Sequence, residues 1–217
     1  MEKLVLNTDT ILVHYNLPRL REGKLVDEWT AAKGDLLPEE MLRLQKLHKK
    51  TLQSGDGWNE EELKMKFISL IFDLVDIEVD GLIVSFYERT MTAVVSNLKI
   101  NVICDCLLAS PAGIATPRMP YFFLQEAPSQ PSPKGKENKN DSNDPEAQML
   151  AAMLVAQHLN ADEKPIYGAW LVGSIWNFTV LYEGKYYVSR KFDAGNMNDL
   201  IQIVFILRKL KTLILER

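Results

Sequence analysis

The sequence predicts an α/β fold in which a central mixed β-sheet is flanked by helices. Three strand-like apolar segments follow one another between residues 82 and 126, and Ser96-Asn97 predicts a turn between the first two. A further strand and a hairpin occupy residues 166–188. Segments with apolar residues at helical spacing lie before, between and after these strands. Helices on both sides of a mixed sheet are the natural packing of that order of elements.

Composition limits the classes of protein to which the chain can belong. Its 217 residues, 47% of them hydrophobic, are enough to bury one sizeable core. A net charge of -4 gives no basic surface of the kind that proteins coating DNA present. The sequence has neither a signal-like stretch nor an apolar run of about 18 residues, so we expect a cytoplasmic protein without a membrane partner. Cys104 and Cys106 are too close to form a normal disulfide, and we expect buried free thiols.

The best-marked helix start divides the chain into two parts. Asn59 can cap this helix, and Glu62 can complete a capping box. We interpret residues 1–57 as an N-terminal extension that is partly helical, with a helix beginning at Pro38. Residues 58–217 are then the α/β core.

The second half of the chain alternates clear signals with one low-complexity segment. Residues 127–144 combine prolines with serine, lysine and asparagine, which predicts a mobile loop. Asp144-Pro145 is typical of a helix start, with an N-cap followed by proline. Glu183-Gly184 predicts a hairpin turn, and an amphipathic helix is expected from Asn198 to the end of the sequence.

Two acidic residues belong to strands that are otherwise apolar. Asp105 lies within the apolar run 102–108, where an isolated carboxylate costs several kcal/mol unless it is paired, hydrogen-bonded or bound to a metal. Glu126 ends the next strand. If the two strands are neighbours, both carboxylates converge and offer the ligands that Mg²⁺ prefers. The alternative is two unrelated acids, one hydrogen-bonded inside the protein and one at a strand end.

The order helix, strand, strand with Asp105, strand with Glu126, helix and strand resembles the core of the PD-(D/E)XK, or restriction-endonuclease-like, nuclease superfamily. The resemblance spans roughly residues 58 to 190 and is carried by Trp58–Lys64, Asp105, Pro120–Glu126, Asp144–Gln148, Tyr167-Gly168 and Trp176–Phe178. It implies a restriction-endonuclease-like fold and hydrolysis of phosphodiester bonds, with DNA as the partner. It also implies that Asp105 and Glu126 hold Mg²⁺ or Mn²⁺, with Glu60 as a supporting acid and Gln148 lining the site.

Glu60 and Gln148 can also be explained without a role in a functional site. Glu60 is also explained as a first-turn glutamate stabilised by the helix dipole. Gln148 is also explained as an ordinary polar residue near a helix start.

The sequence departs from the superfamily pattern at Pro128. In the (D/E)XK half-motif a lysine stands two residues after the acid, which here corresponds to Glu126, and Pro128 occupies that position. Proline supplies no ammonium group and cannot donate a hydrogen bond within a sheet. Three explanations remain open. A loop lysine (Lys134, Lys136 or Lys139) could replace the missing one, Lys64 could reach the site from the first helix, or the site could be degenerate.

The sequence therefore predicts a metal-dependent nuclease-like domain. The alternative is an inactive relative that binds nucleic acid or a protein partner. A homo-oligomer is compatible with either function.

Overall fold

The computed structural model describes residues 7–113, 116–127 and 144–217. The α-helices in these ranges are α1 (Thr8–His14), α2 (Lys24–Thr30), α3 (Pro38–Ser54), α4 (Glu60–Leu63), α5 (Ser69–Val75), α6 (Pro145–Asn160) and α7 (Met197–Leu215). A 3₁₀ turn, Gly55–Gly57, follows α3, and a π-helical turn, Lys64–Ile68, joins α4 to α5. The strands are β1 (Arg19–Leu20), β2 (Val84–Val95), β3 (Leu98–Pro111), β4 (Pro117–Ala127), β5 (Ile166–Val172), β6 (Ile175–Tyr182) and β7 (Lys185–Asp193).

The strands of the described residues form one mixed sheet in the order β1-β7-β6-β5-β4-β3-β2. β1 and β7 are parallel, as are β4 and β5, and the other neighbouring pairs are antiparallel. α6 makes the crossover that the parallel pair β4 and β5 requires. The α/β class with a central mixed sheet is confirmed, and the arrangement is consistent with a restriction-endonuclease-like core.

The helices cover the two faces of the sheet unequally. α6, with α1 beside it, packs on one face, and α2, α3, α5 and α7 pack on the other. We call these the α6 face and the α7 face. α6 is enclosed, and its residues 149–156 are all buried. Gly168 allows this close packing, because a Cβ atom there would lie 2.5 Å from the sulfur of Met149 and 3.1 Å from that of Met153.

The described part of the predicted N-terminal extension contributes to this sheet and core. β1 extends the sheet beyond β7. Trp29 in α2 is 1% exposed, and its indole N–H donates to the carbonyl of Ile206 in α7 at 2.9 Å. Its ring meets Tyr167 and Phe178 edge-on, with centroids 5.0 and 5.3 Å away. The domain boundary at residue 57 stays a prediction.

Several local predictions are confirmed at atomic detail. Asn59 caps α4 by accepting from the N–H of Glu62 at 2.9 Å, and the Glu62 carboxylate accepts from the N–H of Asn59 at 3.2 Å. Ser96-Asn97 turns β2 into β3 with φ values of 48° and 66°, which suits a two-residue hairpin. Glu183-Gly184 connects β6 and β7 in the same way. The helix from Pro38 is α3, and Asp144 caps α6 by accepting from the N–H of Ala147.

Other predictions differ from the structure or lie beyond its described part. The closing helix begins at Met197, one residue before the predicted Asn198, because the side chain of Asn196 caps it. Of the predicted loop 127–144, residues 128–143 lie outside the described residues, and these include Pro128 and the three loop lysines. None of the described helices is both long and apolar enough to span a membrane. The cytoplasmic location and the oligomeric state stay predictions.

Replacing Trp29 with alanine is expected to lower the free energy of unfolding by about 3–5 kcal/mol. The substitution opens a cavity between α2 and the sheet and removes the hydrogen bond to Ile206. Urea titration followed by circular dichroism measures the change. Trp29→Phe is the control, because it keeps most of the ring packing and loses mainly the N–H donor, at about 1–2 kcal/mol. An unchanged main transition in Trp29→Ala would show that this segment folds apart from the core.

Candidate functional site

Three acidic side chains from separate elements meet at one place. Glu60 begins α4, Glu88 lies in β2 and Asp105 lies in β3. One carboxylate oxygen from each residue lies within 4.8 Å of those of the other two. Glu60 and Glu88 are exposed, and Asp105 is half-buried. We call these three residues the acidic cluster.

The register of the β2–β3 hairpin brings Glu88 and Asp105 together. Tyr87 pairs with Cys106 and Arg89 pairs with Cys104, so Glu88 and Asp105 occupy the position between these pairs. Glu88 has a φ of 51°, which is an uncommon conformation for a residue other than glycine. The backbone is therefore irregular at the acidic residue itself.

Both strands also change the face to which they present alternate side chains in this region. In β3, Cys104 packs in the core of the α6 face, and so does Leu107, an odd number of residues further on. In β2, Phe86 and Met91 also pack in that core, although they lie an odd number of positions apart and a regular strand would point them to opposite faces. A regular strand keeps its alternation, so each strand resets it in the stretch that holds its acidic residue. Irregularities of this kind re-aim side chains and are common next to active sites.

A lysine bridges two of the three carboxylates. The Nζ atom of Lys64 lies 3.0 Å from Oε1 of Glu60 and 2.5 Å from Oε1 of Glu88. The Lys64 side chain is only 11% exposed, whereas those of Glu60 and Glu88 are 47% and 56% exposed. Lys64 also begins the π-helical turn Lys64–Ile68, and such turns are frequent at functional sites. Among the described residues, the ammonium group that stands at the cluster is therefore one turn after Glu60.

A buried glutamine side chain joins β3 to β4 where their backbone pairing stops. The regular pairs of these strands reach Cys106 and Leu124, while β4 remains paired with β5 as far as Ala127. Gln125 accepts from the N–H of Asp105 at 2.7 Å. Its amide nitrogen donates to the carbonyl of Ile103 at 3.1 Å. Gln125 therefore touches the backbone of the central acidic residue.

The other two predicted site residues are Gln148 and Glu126. The side-chain oxygen of Gln148 accepts from Nε2 of Gln125 at 3.0 Å, so Gln148 reaches Asp105 through Gln125. The backbone of Glu126 pairs with Leu171, and the placement of the Glu126 side chain lies outside the described part. A metal pair of Asp105 and Glu126 stays a prediction.

Sequence reasoning missed Glu88, because it lies in the middle of the strand-like segment 82–95 and no local pattern distinguishes it from other polar residues of a strand. The structure shows one continuous strand, Val84–Val95. A usable signal was present in the predicted turn at Ser96-Asn97. Because a two-residue hairpin fixes the register, counting equally outward from both turn residues reaches Glu88 and Asp105 together.

The two neighbours of Asp105 in β3 are buried on opposite faces of the sheet, Cys104 in the core of the α6 face and Cys106 in the core of the α7 face. Cys104 and Cys106 are buried free thiols, as predicted. Burial, together with the charge of Asp105, raises the pKa of the Cys104 thiol to about 12. A cavity of about 230 Å³ lies beside α3 and the start of α4, but none of the three clustered acids lines it. The acidic cluster is thus a surface site whose neighbouring residues in β3 are buried.

No protein-family model matches this sequence, and no curated protein matches it. Among solved structures, the chain resembles part of a chain in the cryo-EM structure of the DrdV–DNA complex, with a TM-score of 0.40 and 12% sequence identity. The match covers 79% of this chain and 14% of the chain in that complex.

Cys104 is expected to resist alkylation by iodoacetamide at pH 8. Since burial raises the pKa of its thiol to about 12, the reactive thiolate is scarce until the pH approaches that value. Mass spectrometry of a Cys106→Ala variant isolates the reaction at Cys104, and we expect it to be at least ~10³-fold slower than in the urea-denatured chain. Equal rates in the native and denatured chains would contradict the burial of this thiol.

Proposed function

We propose that this chain is a divalent-metal-dependent nuclease domain that hydrolyses phosphodiester bonds in DNA, with the acidic cluster as its metal site. The convergence of Glu60, Glu88 and Asp105, with oxygens within 4.8 Å of one another, carries the proposal. Like charges this close repel one another unless positive charge stands among them. Three separate elements nevertheless bring these acids together.

The chemistry of the cluster fits a hard divalent cation. Carboxylate oxygens are the ligands that Mg²⁺ and Mn²⁺ favour, and Mg²⁺ usually keeps several of its waters. The exposed side of the cluster leaves room for those waters and for a phosphate of a large substrate. Three carboxylates beside one Lys64 ammonium also leave two formal negative charges, which one divalent ion neutralises.

The residues around the cluster would divide the work of hydrolysis. A bound divalent ion would polarise the scissile phosphate and lower the pKa of a water ligand. Lys64 would stabilise the negative charge that develops on the phosphate, and its contacts with Glu60 and Glu88 hold it ready. Lys64 would thereby take over from the lysine that Pro128 replaces. Glu126 stays a candidate for a further ligand.

DNA as the substrate is proposed from the resemblance to the PD-(D/E)XK superfamily. The exposure of the cluster supports a polymeric substrate, since a surface site can accept a strand that extends past it in both directions. The net charge of -4 means that any attraction to DNA must come from a local arrangement of cations.

One observation favours a second function. The Lys64 ammonium already bonds to two of the three carboxylates and so takes the place that a cation would occupy. In that case the cluster is an ion-pair network, and the domain is a non-catalytic module that binds nucleic acid or a protein. Metal binding separates the two functions.

Mn²⁺ is expected to bind the native chain at one cluster site, as measured by isothermal titration calorimetry. Asp105→Asn and Glu88→Gln should each weaken the affinity at least ~10-fold, because each removes the charge of one hard ligand. Glu183→Gln is the matched control at an exposed turn and should leave the affinity unchanged. If the parent binds no Mn²⁺, or if Glu88→Gln binds it equally well, the ion-pair function is the correct one.

Lys64→Met is expected to lower the rate of metal-dependent DNA cleavage by ~10²–10³-fold, because one preorganised positive group is lost. Its affinity for Mn²⁺ should be unchanged or higher, because a competing cation is gone. The assay uses supercoiled, duplex, single-stranded and branched DNA with Mg²⁺ or Mn²⁺.

Two further variants sharpen the cleavage assay. Lys66→Met is the control, since this neighbouring lysine pairs with Glu62 outside the cluster. Pro128→Lys should raise cleavage in the Lys64→Met chain by restoring an ammonium in the half-motif. If the parent binds Mn²⁺ but cleaves none of these substrates, the proposed activity is wrong.

A further inference from the structure

β3 and β4 part at the level of Asp105. Their last regular pair at this end joins Cys106 to Leu124, and from there β4 continues only beside β5, through residues 125–127. Neighbouring strands that part leave backbone N–H and C=O groups without their usual ladder partners. On β3, the groups concerned are the N–H of Asp105 and the carbonyl of Ile103.

The side chain of Gln125 satisfies both of these groups. A primary amide offers one oxygen acceptor and two N–H donors. The oxygen accepts from Asp105 at 2.7 Å, and the nitrogen donates to Ile103 at 3.1 Å and to the Gln148 side chain at 3.0 Å. Gln125 is fully buried, so water does not compete for these bonds. Its amide thus imitates the peptide group that β4 no longer supplies.

The length of this side chain sets the width of the gap. Asparagine is shorter by one carbon–carbon bond, about 1.5 Å, so its amide would reach β3 only if β4 moved inward. Because the amide holds the N–H of Asp105 itself, a change of width also moves the backbone that carries the Asp105 carboxylate. Gln148 fixes the other side of the amide from α6.

We propose that Gln125 is the positioning residue of the metal site. It fixes the separation of β3 from β4 and thereby places the Asp105 carboxylate relative to Glu60 and Glu88. Gln148 then acts on the site through its hydrogen bond with Gln125. This inference rests on the proposed metal-binding function of the acidic cluster.

Two variants of Gln125 test this role. Gln125→Asn keeps the amide and shortens the side chain, and Gln125→Leu keeps the approximate size and removes the amide. We expect the Asp105 amide to exchange with deuterium at least ~10-fold faster in both, while Leu107 and Leu108 stay protected. The affinity for Mn²⁺ should fall by ~10–100-fold, as is typical when a partner of a metal ligand is lost. The ratio of the Mn²⁺ and Ca²⁺ dissociation constants should also change, because the ligand spacing changes.

Ser189→Ala provides a matched control for loss of a buried hydrogen bond. Ser189 is buried in β7 and accepts from the N–H of Phe178, away from β3 and β4. Ser189→Ala should lower the melting temperature without altering the ratio of the Mn²⁺ and Ca²⁺ dissociation constants. If the role of Gln125 were purely structural, the Gln125 variants would leave that ratio unaltered as well. If Asp105 exchange or the metal ratio is unchanged in both Gln125 variants, the inference is overturned. A parent that binds no Mn²⁺ overturns the proposed function instead, and Asp105 exchange alone then decides whether Gln125 positions this strand.

Discussion

β4 pairs in parallel with β5, and this pairing obliges the chain to cross the sheet as α6 between the two strands. The crossover helix packs so closely that Gly168 must lack a side chain where Met149 approaches it. β4 stays beside β5 as far as Ala127, whereas its regular pairing with β3 stops at the level of Asp105. The gap that results, closed by Gln125, gives the acidic cluster its inner boundary. The site thus depends on where the pairing of β3 with β4 ends as well as on its acidic residues.

The acidic cluster balances repulsion against a local cation. Lys64 reduces the repulsion between Glu60 and Glu88, and its own side chain is largely shielded from solvent. The neighbours of Asp105 in β3, Cys104 and Cys106, are buried. Burial disfavours charge there, as the raised pKa of the Cys104 thiol shows. A divalent ion on the exposed side would therefore meet carboxylates on a largely fixed frame. Preorganisation of this kind is what metal-assisted hydrolysis requires of a protein.

Much of the fold and part of the candidate site could be predicted from the sequence. Asp105 was identifiable because a carboxylate in an apolar strand needs a partner, and Asn59 because a cap and its capping box are local. Lys64 was one of four candidate lysines for the ammonium, because helical spacing sets it one turn after Glu60. Glu88 was missed, since its importance comes from a cross-strand register.

The sequence by itself determined the α/β class, the order of the elements and the presence of a charged residue that had to be compensated. These properties follow from periodicity, caps and burial, which act over a few residues. The tertiary structure decided which side chains meet: it set Glu88 opposite Asp105 and put Gln125 in the gap between two strands. It also gave β1 and Trp29 places in the same sheet and core as the later strands. These contacts join residues far apart in the chain, and their energies appear only when strands and helices pack together.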